Sequence, residues 1–502
     1  MLPDLAPLHL FVTLPLATLA LAVSGWLVAL ALLPRLPHAT ATEADLRTVL
    51  LALGWGFGLT PTWAFFVHAL SGPPVTPAWL LALAALQGWL AVEVLLRSGR
   101  VARFGPELLD LPRLRAVFRN HGALLAGALA VGLLYFLKHE SSVSPSSCIG
   151  EAAICAVGHG SPGQDVLRDN IGDARLGNSG VLSGFLALYG DAGFRVLYAL
   201  VGVLLALGGA LLGQRTGGAK QRTGDSLQRA GTARVWAWAG LLFLPLNPYV
   251  ASIPLLDENL LTLAWSVVLL PLLFGPPRGQ SHGDGAPIQA VPWTAVGALF
   301  GLVVAMRHPM LVCLPALLLL AWTDAVPVRL RLQRVGRLLL GVTLLTAVEN
   351  LHHLLALGSL LRFEHNTQYP PLPYSLFGVP FVWEGMVNWP LHDTLIRTPH
   401  NPFPTFALWP LWLADHLGLL LTATLPLGVW ALWQRAPREA AFWLLWWLPV
   451  HAGLSLQEAW DYPNKMGILV IVFAPFLVWS LHGLRLVVSH PRQAVPALLV
   501  LA

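Results

Sequence analysis

About thirteen apolar segments, each long enough to span or nearly span a lipid bilayer, fix what this chain can fold into. They lie near 9–33, 48–70, 78–97, 121–138, 190–213, 233–247, 258–275, 291–306, 309–323, 336–355, 406–433, 440–456 and 466–486. A short apolar tail at 494–502 could begin one more. Only 11% of the 502 residues are charged and 56% are hydrophobic, whereas a soluble domain carries about 25% charged residues. The expectation is an all-α polytopic membrane protein of about thirteen transmembrane helices with two large outer-face loops. The 40 prolines and 46 glycines fit membrane helices with breaks and re-entrant turns.

The net charge of +5 does not point to nucleic acid, because the basic residues collect in a few loops. Arg97, Arg100, Arg103, Arg113, Arg115 and Arg119 crowd one loop, and Arg215, Lys220, Arg222, Arg229 and Arg234 a second. Arg329, Arg331, Arg334 and Arg337 form a third, Arg435 and Arg438 a fourth, and Arg492 marks a fifth. With the segments above, all five fall on one side, which the positive-inside bias makes cytoplasmic. The N-terminus is then expected outside. No signal peptide is expected, since Met1 to Leu10 hold no Lys or Arg for a basic n-region.

The outer side carries two long loops, 139–189 and 356–405, and short ones around 248–257, 307–309 and 457–465. They hold most of the polar residues able to do chemistry. Asp257 and Glu258 stand side by side at the mouth of an apolar helix. Arg307, followed by His308 and Pro309, interrupts two apolar runs. Charge at membrane depth is costly and defaults to a functional reading. The plainer alternatives are a cap at Asp257, favoured by the helix dipole, and a snorkelling Arg307. Cys148 and Cys155 share one outer loop, as a disulfide or as two thiols, and Cys313 reads as a packing residue. The histidines His352, His353, His365, His392 and His400 match no compact zinc signature. No cofactor follows from the residues, and the need for a divalent cation is left open.

From Asn178 the order of features is an outer loop, the stretch Leu186 to Leu200, a long helix and a basic turn. The Asp257-Glu258-Asn259 turn and the break from Gly301 to Arg307 follow. This succession resembles the GT-C superfamily of membrane glycosyltransferases, in particular bacterial relatives of protein mannosyltransferases and aminoarabinose transferases. The resemblance covers about 120–345 and is only architectural beyond. It implies an accessory N-terminal part (1–97) and a catalytic membrane core (98–345) containing the loop 139–189. A last part (346–502) would hold the loop 356–405 and closing helices.

The resemblance further implies inverting transfer of a sugar from a polyprenyl-phosphate carrier to a lipid, glycan or protein acceptor at the outer face. The setting would be a bacterial inner membrane, with the active site facing the periplasm. An acidic residue early in the first outer loop would serve as base. Glu140 matches by position but lacks the family's usual Asp, so Glu151 rivals it, with Asp165 and Asp169 behind. Asp257 and Glu258 match the second acidic pair. Such chemistry needs a carboxylate near the acceptor and positive charge around the departing phosphate. Arg307 presents a fork suited to phosphate oxygens; His308 and Lys465 could assist. Glu364, His365, Glu384 and Asp393 are second-line substrate contacts. A transporter or flippase of a lipid-linked or small polar solute is the rival reading, since broken helices and intramembrane charge suit it too. An inactive family member is a third.

Overall fold

A computed structural model describes residues 12–33, 41–71, 74–97, 111–138, 157, 176–217, 226–252, 258–274, 291–322, 326–357, 374–376, 379–381, 419–455 and 470–487. The opening helices are α1 (Leu14–Leu32), α2 (Ala41–Gly54), α3 (Thr60–Ser71), α4 (Pro77–Arg97) and α5 (Leu111–Leu137). A π-helical turn, Trp55–Leu59, joins α2 to α3. Next come α6 (Leu176–Tyr189), α7 (Gly193–Gly217), α8 (Ser226–Leu246), α9 (Pro248–Ser252), α10 (Glu258–Val268) and α11 (Leu270–Leu273). The rest comprises α12 (Trp293–Met306), α13 (Leu314–Ala321), α14 (Val328–Leu357), α15 (Leu419–Arg435), α16 (Pro437–Ser455) and α17 (Ala474–Val487).

Among the described residues four helical stretches are long and apolar enough to cross a membrane: Leu14–Leu32, Leu46–Ala69, Pro77–Arg97 and Gly177–Thr216. Shorter apolar helices, among them Trp293–Met306 and Ala474–Val487, accompany them. Large apolar side chains also face outward in stripes. Leu129, Leu133 and Leu137 on α5 are 66%, 56% and 63% exposed, and Leu86, Trp89, Leu90 and Val94 line α4 in the same way. Contiguous apolar surface of this kind is foreign to water-soluble monomers. The build fits an all-α membrane protein.

Lipid gives apolar helices no hydrophobic reason to associate, so close backbone packing and hydrogen bonds must hold them. Small residues supply that closeness here. Gly209 and Gly213 of α7, four apart, abut α8: a Cβ on Gly209 would stand 2.1 Å from the Gly240 carbonyl oxygen, and one on Gly213 would stand 1.9 Å from that of Trp236. Gly297 and Gly301 repeat the spacing on α12 against Leu338, Gly341 and Val342 of α14. Gly428 of α15 and Gly483 of α17 clasp each other's helices in the same way. α1 packs on α2 and α4, and α2 in turn packs on α5, α7 and α10, which ties residues 12–97 to the core.

Four differences from the sequence reading stand out. The outer loop assigned to 139–189 ends in a helix: α6 is buried from Gly177 to Leu186 and packs against α3, α7 and α12. Residues 176–189 carry no charge, and their glycines and serines dilute the apolar signal without removing it. The helix expected from 190 begins at Gly193, after a 3-10 turn in which Gly190 adopts φ +57°, a conformation open to glycine. Basic residues assigned to loops partly occupy helix ends: Arg113, Arg115 and Arg119 lie in α5, Arg229 and Arg234 in α8, and Arg329 to Arg337 in α14. Arginine is a good helix former, so these helices continue past their apolar spans. Finally, within 356–405, Tyr374–Leu376 pairs antiparallel with Val379–Phe381, with Tyr374 opposite Phe381.

Candidate functional site

The central break falls where the sequence places a charge and a proline together. α12 ends at Met306, and Arg307 is extended, with φ −151° and ψ 101°. Pro309 has no N–H to donate back to Ala305, and its ring crowds that carbonyl, so the helix cannot continue. The chain resumes as a 3-10 turn, His308–Cys313, before α13. Arg307 N–H still donates to the Val303 carbonyl at 3.0 Å. Met310 N–H, which a continuous helix would direct to Met306, donates instead to the Arg307 carbonyl at 2.9 Å.

The Met306 carbonyl finds another donor 128 residues away. Asn178 Nδ2 of α6 donates to it at 2.9 Å. Gly177 permits the approach, because a Cβ there would stand 2.7 Å from the Met306 nitrogen and 2.8 Å from the Ala305 carbonyl carbon. Asn178 is fully buried, and its Oδ1 has no hydrogen-bond partner among the described residues. The Arg307 side chain is buried as well, at 7% exposed.

α10 supplies the second part. Glu258 is its first residue, where helix N–H groups and the dipole favour a carboxylate. Asn259, Thr262 and Ser266 follow at helical spacing on one face, and all three are buried. Ser266 Oγ also has no hydrogen-bond partner among the described residues. Thr60 and Thr62 of α3 and Ser179 and Ser183 of α6 are buried too. Thr62 Oγ1 returns its proton to the Gly58 carbonyl at 2.8 Å and Ser183 Oγ to that of Gly180 at 2.8 Å. These residues belong to three neighbouring helices in an otherwise apolar bundle.

The packing shows which ends meet. Val268 of α10 lies against Gly54, and Trp265 lies against Gly58 and donates from Nε1 to the Gly54 carbonyl at 3.1 Å. α10 therefore runs antiparallel to α2–α3. One turn beyond Gly58, Thr62 meets Gly180 of α6, and three residues back along α6 Gly177 meets the end of α12. The head of α10 and the Arg307 break thus lie toward the same end of the bundle, on helices that pack together.

Lys138 closes this end. It is the last described residue before Glu140, and its Nζ donates to the Tyr198 hydroxyl of α7 at 2.8 Å and to the Ala251 carbonyl of α9. Tyr135, one turn earlier, donates to the Pro245 carbonyl at 2.6 Å. α9 is itself capped, since Asn247 Oδ1 accepts from Tyr249 N–H at 3.1 Å with Pro248 in the first helical position. The chain leading into the first outer loop and the chain leading toward Asp257 are therefore bonded to one another.

Glu140, Glu151, Asp165, Asp169, Asp257, Glu364, His365, Glu384, Asp393 and Lys465 lie outside the described residues, as do Cys148 and Cys155. Glu258 and His308 are placed by their backbone alone. Of the expected site, Arg307, the His308 turn and the Glu258 helix head come together. Among the described residues no three His, Cys, Asp or Glu side chains gather as a metal site. Cys313 is buried, with Sγ 3.1 Å from the Trp446 carbonyl. Sequence reasoning missed Asn178, Lys138, and the Thr262 and Ser266 face. The last carried a signal, polar residues at three- and four-residue spacing in an apolar segment. Compared with known families, with curated proteins and with solved structures, the chain matches none.

Proposed function

We propose that the protein is a GT-C-type integral membrane glycosyltransferase of about thirteen spans. In this reading it moves a sugar from a polyprenyl-phosphate carrier to an acceptor at the outer, periplasmic face of a bacterial inner membrane. The observation that carries the reading is the buried Arg307 at a helix break, braced by Asn178 and facing the same end as the acidic head of α10. A guanidinium held in an apolar bundle at a helix break is suited to meeting an anion, and its fork matches phosphate oxygens.

In the proposed reaction a carboxylate of the outer loops, Glu140 or Glu151, or of the Asp257–Glu258 pair, takes the acceptor hydroxyl proton. The acceptor oxygen bonds to the anomeric carbon as the bond from that carbon to the phosphate oxygen breaks, with inversion. Polyprenyl phosphate leaves, its new charge balanced by Arg307, with His308 or Lys465 assisting. Glu364, His365, Glu384 and Asp393 would contact sugar or acceptor. Grooves between apolar helices would hold the prenyl chain.

The test is transfer from a labelled polyprenyl-phosphate sugar pool by purified protein in liposomes. Glu140→Ala, Glu151→Ala, the Asp257→Ala/Glu258→Ala pair and Arg307→Ala are run in parallel. Donor consumption that disappears in Arg307→Ala and in at least one acidic variant, with folding retained, supports the transferase. Solute flux in the same liposomes with no donor consumed sinks it and favours a transporter.

A further inference from the structure

The opposite end of the bundle presents a second cluster of charge that the proposed reaction does not use. Arg215 at the end of α7 forms a two-point ion pair with Glu439 at the start of α16, Nε to Oε1 at 2.8 Å and Nη2 to Oε2 at 2.5 Å. The same guanidinium lies over the Phe274 ring, 4.4 Å from its centroid. Arg485, near the end of α17, donates to the Thr216 carbonyl at the end of α7. Arg435, at the end of α15, is within electrostatic range of Arg215, Glu439 and Arg485. Arg438 stands one residue before Glu439, and His482 is buried one turn before Arg485.

Four guanidiniums from α7, the α15–α16 turn and α17 thus converge around one carboxylate, and Arg215 already engages both of its oxygens. Taking these side chains alone, four positive charges against one negative leave an excess of three. Like charges brought together on half-buried helix ends repel one another unless an anion sits among them. The cluster lies at the boundary of the apolar bundle: Arg215 and Arg485 are half-buried and Arg435 and Arg438 are exposed. Basic clefts between membrane helices on the cytoplasmic side suit phosphate-bearing headgroups. Arginine binds them through paired N–H donors.

We infer that Arg435, Arg438 and Arg485, set around the Arg215–Glu439 pair, form a binding site for a phosphate group, supplied by the headgroup of an anionic lipid. The site is separate from Arg307 and does not depend on the transferase reading. Arg435 and Arg438 are the variable contacts, while Arg485 also holds the end of α7 and Arg215 holds α16. Loss of Arg435 and Arg438 should therefore weaken binding with little harm to the fold.

The test is binding to the detergent-purified full chain, read by native mass spectrometry and by the thermal midpoint. The probes are phosphatidylglycerol, zwitterionic phosphatidylcholine and inorganic phosphate. Wild type should retain phosphatidylglycerol over phosphatidylcholine and gain thermal stability from it. An arginine beside an anionic surface contributes about fivefold in affinity, so Arg435→Gln/Arg438→Gln should bind phosphatidylglycerol about 25-fold more weakly. Inorganic phosphate giving the full stabilisation in wild type but not in the variant would show the same site taking the free anion. Equal binding of phosphatidylglycerol by wild type and a folded variant would overturn the proposal, and so would equal binding of the two lipids by wild type.

Discussion

Asn178 Nδ2 donates to the Met306 carbonyl at 2.9 Å, so a residue of α6 completes the hydrogen bonding of a helix broken 128 positions later. The bond lies one peptide from Arg307, which makes Asn178 part of what fixes the guanidinium's place. Asn178→Ala leaves a buried carbonyl without its donor, which costs about 1–3 kcal/mol. The thermal midpoint in detergent should fall, and donor turnover should fall with it. Asn178→Asp removes the donor at nearly constant shape and should behave like the alanine variant.

Lys138 connects α5 to the outer ends of α7 and α9. Lys138→Met keeps the aliphatic stem and loses the charge-assisted bonds, each worth about 1.5–3 kcal/mol when donor or acceptor is charged. Proteolysis near 139–150 and around Ala251 should increase together in this variant. Tyr198→Phe, which removes one of the two partners, should show a smaller increase.

The α7–α8 contact leaves no room for a side chain. A Cβ on Gly240 would meet the Gly209 oxygen at 2.0 Å, so Gly240→Val should abolish the folded, monodisperse species on gel filtration. Gly336 of α14 is the contrasting site, exposed and with nothing within 4 Å of the place an added methyl would take. Gly336→Ala should raise stability by about 0.5–1 kcal/mol, the helix-propensity difference.

Trp265 crosses from α10 to the π-helical turn, donating to the Gly54 carbonyl at 3.1 Å. Trp265→Phe keeps most of the buried ring and loses the bond, at about 1 kcal/mol. Gly58→Ala would bring a Cβ within 1.9 Å of the indole nitrogen and should lower the thermal midpoint by more than Trp265→Phe does.

Sequence periodicity and charge made much of this architecture legible. α1 and α4 lie where unbroken apolar runs predict them, and the Arg307 break follows from one arginine and one proline inside an apolar stretch. The helix head at Glu258 follows from the acidic pair before Leu260. α6 was hidden because Gly177, Gly180, Ser179 and Ser183 make a buried helix look like loop composition; their small size is what lets α3 and α12 come close. Asn178 was unreadable as a partner of Met306, since no local pattern encodes a contact over 128 residues. The Arg215–Glu439 pair escaped for the same reason, joining positions 224 apart that the sequence reads only as two basic turns.

The central claim is that Arg307 binds the phosphate of a lipid carrier, and affinity for polyprenyl phosphate tests it most directly. The measurement is the dissociation constant of the labelled lipid in proteoliposomes for wild type, Arg307→Lys and Arg307→Gln. Loss of a buried charge-assisted contact of about 1.5–3 kcal/mol weakens Arg307→Gln about 10- to 150-fold, with Arg307→Lys between it and wild type because a point charge replaces the fork. Equal affinity in all three, with each variant folded, would contradict the account.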